Sequence, residues 1–194
     1  KPHLFNRGKY NQPARVIGIS DAGCHSVKRL VHHDRRVRIP SGQNLAAVKA
    51  TPRDDRVRQE LGLPDDALLA VNVGALSPQK DQATLLRGFA AALKHEGPGD
   101  PPLHLVIAGE GDQRPALEKL IDELDLAGRA HLVGFVDDPV GLIKSADLFV
   151  LSSVFEGLCS TLVQVMASRV PIIATAVGGV VDLIADGHTG RTVP

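Results

Sequence analysis

Continuous apolar runs alternate along this chain with stretches in which apolar residues recur every three or four positions. The runs LLAVNV and LHLVIA are typical of strands that are buried on both faces of a sheet. Between them the spacing is helical, as in Leu85, Leu86 and Phe89. This regular alternation of strand and helix predicts an α/β fold with a doubly wound, Rossmann-like parallel sheet.

The same pattern predicts where the elements lie. Strands are expected at 15–20, 36–40, 68–74, 103–109, 130–135, 147–153 and 170–175. Helices are expected at 21–31, just before Gly62, around 85–93 and 117–124, at 138–145 and 157–168, and from 178 to a stop at Gly187. Right-handed crossovers place the loop after each strand at one edge of the sheet, where ligands of such sheets bind.

The loop after the strand at 68–74 carries a candidate anion-binding side chain. Lys80 stands close to the start of the next helix, whose N–H groups and dipole favour an anion. Phosphate is the expected ligand, although a solvated surface lysine is the simpler interpretation of Lys80 taken alone. The loops GEGD, at 109–112, and GFVD, at 134–137, are compatible with backbone contacts to a ligand and also with plain turns.

The loop that follows the strand at 147–153 is the most informative. Glu156 is followed there by Gly157 and by small polar residues at a helix start. A carboxylate in this place accepts hydrogen bonds from sugar hydroxyls, and the alternative is a helix-terminal acid stabilised by the dipole. Gly178 and Gly179, at the start of the last predicted helix, offer a second place where backbone N–H groups can meet phosphate.

Taken in order, a series of segments resembles the group 1 family of retaining glycosyltransferases. The segments are VNVGALSPQKD, LHLVIAGEGD, HLVGFVDD, SADLFVLSSVFEGL, ASRVPIIATAVGG and DGHTGRTVP. Each is weakly specific alone, whereas the series at these intervals is strongly specific. The resemblance implies the GT-B fold, with two facing Rossmann-like domains, and it places this chain in the C-terminal, donor-binding half.

The resemblance also implies roles for individual residues. Lys80 matches the lysine that holds the donor pyrophosphate, and Glu156 matches the first glutamate of the family's E-x7-E motif, which contacts the donor sugar. These two are the expected catalytic residues. The expected donor-binding positions, including the base-binding stretch at 135–136, are Gly74, Ala75, Gly109, Phe135, Val136, Gly157, Leu158, Cys159, Ser160, Thr161 and Gln164.

Three positions depart from the family's commonest pattern. Ala75 stands where an arginine usually joins the lysine on the pyrophosphate, so a bidentate phosphate partner is lost. Gln164 stands where the second glutamate of E-x7-E binds the ribose hydroxyls, and its amide can still donate to and accept from a diol. Arg169 stands where a small residue such as glycine is frequent.

The resemblance divides the chain near residue 45. Residues 1–45 resemble the end of the N-terminal domain and the crossing between domains, and residues 46–194 resemble the nucleotide-sugar-binding domain, truncated at its C-terminus. The start at Lys1, without a methionine, favours a fragment. The acceptor, whether a sugar, a lipid or a polysaccharide, is therefore expected to bind through the missing N-terminal domain.

Composition narrows the other classes of function. The 22 basic residues balance 22 acidic ones, which gives no general electrostatic reason to bind nucleic acid. Cys24 and Cys159 lack metal-type spacing, as expected of reduced thiols in a cytoplasmic protein. The histidines, His32 and His33 included, form no ligand motif, so neither a metal nor a cofactor is expected. No apolar run reaches the ~20 residues of a membrane helix, which leaves peripheral membrane contact of the parent protein open.

The expected function is donor binding in an enzyme of glycan biosynthesis. The parent enzyme is expected to be a hexosyltransferase, which moves a sugar from a nucleotide diphosphate to an acceptor hydroxyl with retention at the anomeric carbon. This chain alone is expected to be inactive. Ala75 and Gln164 motivate a different class, a nucleotide-sugar-binding module without catalysis. A sugar-nucleotide epimerase and a dinucleotide-dependent dehydrogenase are weaker alternatives, because their signature acids, histidines and full glycine fingerprint are not evident.

Overall fold

A computed structural model of the protein describes residues 15–194, which contain two parallel sheets. Strands β1 (Val16–Gly18) and β2 (Arg36–Arg38) form a small two-stranded sheet. The strands of the larger sheet are β3 (Leu68–Val73), β4 (Leu103–Ala108), β5 (Ala130–Gly134), β6 (Leu148–Leu151), β7 (Ile172–Thr175) and β8 (Arg191–Val193). They are parallel throughout and lie in the order β5-β4-β3-β6-β7-β8.

Helices connect most of these strands. They are α1 (Asp21–Ser26), α2 (Leu45–Ala50), α3 (Arg56–Glu60), α4 (Gln82–Leu93), α5 (Arg114–Glu123), α6 (Pro139–Ser145) and α7 (Ser160–Ser168). Short 3₁₀ helices occupy His33–Arg35 and Gly178–Val180. The side chains of Ser20, Asn44, Asp81 and Asp138 accept hydrogen bonds from backbone N–H groups at the starts of α1, α2, α4 and α6. Each bond satisfies a donor that the first helical turn leaves free.

Both faces of the large sheet contribute to the core. Leu69 and Val71 of β3 are fully buried in the apolar cluster that contains residues of α6 and α7. Ala70, which lies between them in the strand, belongs to the apolar cluster on the opposite face of the sheet, together with Leu86 of α4 and Leu117 of α5. Strands buried in this way read as continuous apolar runs, and the prediction of a doubly wound parallel sheet is confirmed.

The strand order reverses at the centre of the large sheet. Successive strands move outward from β3 through β4 to β5, and the chain then returns so that β6 pairs with β3 on its other side. The loops that follow β3 and β6 therefore leave the same edge of the sheet side by side. In open α/β sheets such a switch point is the usual position of a ligand site.

Three helical segments differ from the prediction. The helix expected at 21–31 ends at Ser26, and α2 was not predicted, although Asn44 supplies a cap that could have indicated it. The segment after Gly178 is a 3₁₀ helix followed by turns instead of a helix reaching Gly187. The start of this segment packs tightly against residues 156–157, where a Cβ on Gly178 would lie 1.8 Å from the carbonyl oxygen of Glu156.

Two stacked histidines on neighbouring strands lead us to expect that stability depends on pH. The rings of His104 on β4 and His131 on β5 lie 5.7 Å apart between centroids, and burial lowers the pKa of both. Since the unfolded chain then binds more protons below the ordinary histidine pKa of about 6.5, stability is full above that pH and falls as the pH drops below it. We expect thermal melting to shift down by about 2–4 °C between pH 7.5 and 5.5.

The histidine variants identify the source of this shift. A His104→Gln/His131→Gln double variant should show a flatter dependence of melting temperature on pH over the same interval. His188→Gln is the matched control, because His188 is exposed in a turn. An unchanged slope in the double variant would assign the pH dependence to other groups.

Candidate functional site

The loops after β3 and β6 are joined by hydrogen bonds at the switch point. Gln79 accepts from the backbone N–H of Val154 at 2.9 Å through its carbonyl oxygen and donates from its side chain to the carbonyl of Phe155 at 2.9 Å. Ser152 donates from its hydroxyl to the carbonyl of Lys80 at 2.9 Å. These bonds hold residues 79–80 and 152–155 as one unit, so side chains from two distant parts of the sequence meet here.

The predicted catalytic residues form an ion pair in this unit. Lys80 Nζ lies 2.6 Å from Glu156 Oε1, and the Ser153 hydroxyl donates to the same oxygen at 2.7 Å. The Glu156 side chain is 7% exposed and that of Lys80 is 19% exposed. The lysine stem passes beside Gly74, where a Cβ would stand in van der Waals contact, 3.4 Å from Lys80 Cε. The fold thus brings the two predicted catalytic residues into direct contact with each other.

The glycine pair at 178–179 packs closely against the backbone of Glu156 and Gly157. A Cβ on Gly178 would lie 1.8 Å from the carbonyl oxygen of Glu156, and one on Gly179 would lie 1.9 Å from that of Gly157. The N–H of Gly179 donates to the Glu156 carbonyl at 3.1 Å. The prediction that this pair presents its N–H groups to a phosphate is therefore wrong for Gly179, whose N–H is used inside the protein.

The start of α7 lies directly after this ion pair. Ser160 is exposed there, while Leu158, Thr161 and, one turn further on, Gln164 are half-buried. Cys159 is different, because its side chain packs in the core and burial raises the pKa of its thiol. Of these predicted donor-binding residues, Cys159 could therefore meet a ligand through its backbone alone.

A cleft of about 460 Å³ lies beside the ion pair, between the loops after β3, β4 and β5. Its lining includes the predicted positions Gly74, Ala75, Gly109, Phe135 and Val136. The ring of Phe135 is 76% exposed. The structure therefore gathers these five positions from three separate loops into one mostly apolar surface, which is suited to the face of a flat ring.

Glu110 also lines this cleft and was missed in the sequence. It accepts two hydrogen bonds of 2.9 Å from the guanidinium of Arg114, and these bonds hold the pKa of its carboxyl below the usual range. The spacing of Glu110 and Arg114, four residues apart at a helix start, is a signal that could have indicated the pair.

Comparison with known proteins decides the family. The model of the family described as glycosyl transferases group 1 matches residues 53–194. The chain belongs to this family. Alpha-D-kanosaminyltransferase of Streptomyces kanamyceticus is 35% identical over 144 residues, which are 73% of this chain and 36% of that protein. D-inositol 3-phosphate glycosyltransferase of Thermomonospora curvata is 39% identical over 150 residues, 70% of this chain and 33% of that protein.

The fold of this group 1 glycosyltransferase chain is shared with solved GT-B structures. HepE of Anabaena, in complex with UDP-glucose, superposes with a TM-score of 0.81 at 24% identity over 93% of this chain and 50% of that chain. The likeness confirms the predicted Rossmann-like architecture. The chain spans about a third of the length of the curated relatives it matches.

The β1–α1 turn of this glycosyltransferase chain touches the site, which the sequence did not indicate. A Cβ on Gly157 would stand 3.1 Å from Ile19 Cδ1, and one on Gly179 would stand 3.0 Å from Ser20 Cβ. The N–H of Asp21 donates to the Asp182 carboxylate at 2.8 Å. The turn that follows β1 is therefore packed against loops of the large sheet beside the ion pair.

One group of possible metal ligands occurs within residues 15–194. His32, His33 and Asp34 place one ligand atom each within 4.8 Å of one another, and all three are exposed. The three residues are consecutive in the sequence, where His32 and His33 form no ligand motif. This group lies before β2, outside the loops that form the candidate site. Among the described helices, none has the length and apolar character needed to cross a membrane.

The close packing of the glycine pair leads to a stability prediction. Gly179→Ala should lower the free energy of unfolding by about 1–3 kcal/mol, because its methyl group overlaps the Gly157 carbonyl. Gly88→Ala in α4 is the matched control, since a Cβ there meets no atom within 4 Å and should raise stability by about 0.5–1 kcal/mol. Urea unfolding of both variants checks this, and equal stabilities would contradict the packing argument.

Proposed function

We propose that this chain binds the nucleotide-diphosphate-sugar donor of a retaining glycosyltransferase, which moves the sugar to an acceptor hydroxyl. Family membership supports transfer of a glycosyl group, and HepE, which shares the fold, holds UDP-glucose. The observation that carries the proposal is the position of Lys80. It lies at the start of α4, at the switch point, beside a cleft that can take a base.

The proposed arrangement of the donor follows the order of the loops. The base lies on the surface at Phe135 and Val136, and the diphosphate lies between Lys80 and the start of α7. Glu156 faces the sugar. The departing diphosphate gains negative charge in the transition state, and a fixed ammonium group and helix N–H groups stabilise that charge.

The acceptor is proposed to bind outside this chain. The relatives contain a further two thirds of their length that this chain does not match, and we assign acceptor binding to that part. We place the reaction in the cytoplasm, which is consistent with Cys24 and Cys159 both being free thiols.

A second candidate is a donor-binding module without catalysis. Ala75 in place of the usual arginine and Gln164 in place of the second glutamate favour it. A transfer assay on the protein with its acceptor-binding part separates the two candidates, because a binding module shows affinity for the donor without turnover.

The charge of Lys80 should dominate the affinity for a diphosphate. Lys80→Ala is expected to weaken binding of UDP, GDP or ADP, whichever the chain selects, by 1.5–3 kcal/mol, or roughly tenfold to 150-fold, because a charge-assisted hydrogen bond is lost. Calorimetric titration measures the change. Lys94→Ala at the other end of α4 is the matched control, since Lys94 is exposed. Equal affinities for Lys80→Ala and the unmodified chain would exclude this role.

Ala75 provides a test in the opposite direction. Ala75 is exposed at the edge of the cleft, so Ala75→Arg should add a bidentate phosphate partner and tighten nucleotide binding by about tenfold. Ala75→Gln, which adds length without charge, controls for the larger side chain. If both variants bind alike, the added charge does not reach the diphosphate and the proposed pose is wrong.

A further inference from the structure

The ion pair at the switch point leaves the proposed diphosphate position without a net positive charge. In the loops at 74–81 and 152–160, Lys80 is the one cationic residue. Its ammonium group is already engaged by Glu156 at 2.6 Å. An incoming diphosphate therefore does not meet a free positive charge. It meets a lysine that is shared with a carboxylate.

The geometry of Glu156 shows how this sharing can be released. Lys80 and Ser153 both bond to Oε1, and within residues 15–194 Oε2 makes no hydrogen bond. Lys80 carries three N–H donors, of which one is used by this carboxylate. The Ser153 hydroxyl and the Gly179 N–H hold Glu156 in place independently of the lysine. The lysine can therefore turn away while the glutamate stays.

We propose that Glu156 is an internal counterion of Lys80, which the donor diphosphate displaces. This deepens the proposed function and rests on it. In the unliganded protein the carboxylate holds the ammonium group at the switch point, where an unpaired and mostly buried charge is costly. When the diphosphate binds, the lysine moves from carboxylate to phosphate, and the carboxylate, still held by Ser153, becomes free to accept from the sugar. Glu156 thus lowers the affinity for a diphosphate that carries no sugar.

The neutral, isosteric variant separates this role from simple support of the site. Gln at position 156 keeps the side-chain length and can accept the Ser153 hydrogen bond, but it removes the charge that competes for Lys80 and repels phosphate. Glu156→Gln should therefore bind diphosphates more tightly than the unmodified chain. A merely structural glutamate would give the opposite result.

The experiment is calorimetric titration of the chain with inorganic pyrophosphate and with UDP, GDP and ADP. We expect Glu156→Gln to bind pyrophosphate and the selected nucleotide at least tenfold more tightly, and the double variant Lys80→Met/Glu156→Gln to lose this gain. Glu123→Gln is the matched control, because Glu123 forms a surface pair with Lys119 on α5 and its loss changes the net charge equally. That control should stay within about twofold of the unmodified chain.

The outcomes separate the two proposals. If the unmodified chain binds a nucleotide, Lys80→Ala weakens it, and Glu156→Gln binds equally or more weakly, then the counterion role is overturned and the donor site stands. If neither the unmodified chain nor Glu156→Gln binds any of these ligands, both proposals fall. Thermal melting verifies folding. Where Glu156→Gln does not fold, Glu156→Asp replaces it, with a several-fold gain expected and no gain overturning the role.

Discussion

The pairing of β3 with both β4 and β6 is the constraint on which the rest of this structure depends. A parallel strand at the centre of a sheet must be covered on both faces, and helices α4–α5 and α6–α7 provide that cover. Because the chain winds outward through β4 and β5 and then returns, two loops far apart in sequence leave the sheet together. Everything proposed about the site follows from that meeting.

Burial determines what happens where the loops meet. Lys80 and Glu156 are each mostly removed from water, so each would be costly without the other. Ser153 donates to the Glu156 carboxylate, and the N–H of Gly179 donates to the Glu156 backbone carbonyl. The result is a site whose main positive charge is paired with a carboxylate. In our proposal the affinity for an anion therefore depends on the exchange of partners.

Family membership identifies the kind of protein, whereas the residues of the site bear on what it binds. Membership in the group 1 glycosyltransferases and the shared GT-B architecture establish the kind of protein. The proposed base surface is formed largely by backbone and by the single exposed ring of Phe135. By the resemblance to the family, Ala75 and Gln164 stand where an arginine and a glutamate are common, and these two positions motivate the second candidate, a binding module without catalysis.

The sequence by itself determined the elements of the large sheet, apart from the edge strand β8, which was not predicted, and the loops that carry the candidate site. Apolar runs and helical spacing depend on neighbours a few residues apart, so β3 to β7 and helices α4 to α7 were predicted with small errors at their ends. Local signals failed where conformation depends on distant contacts. The segment after Gly178 is bent into turns by its packing against residues 156–157, which no periodicity shows.

Only the tertiary structure decided how the candidate residues face one another. Lys80 and Glu156 are 76 positions apart, and no local pattern indicates that they bond to each other instead of separately awaiting a ligand. The same holds for Glu110 at the cleft, for the contact of Ser20 with Gly179, and for the core position of Cys159. Strand order and register set these distances, and both arise from pairing across the whole sheet, which composition and spacing do not contain.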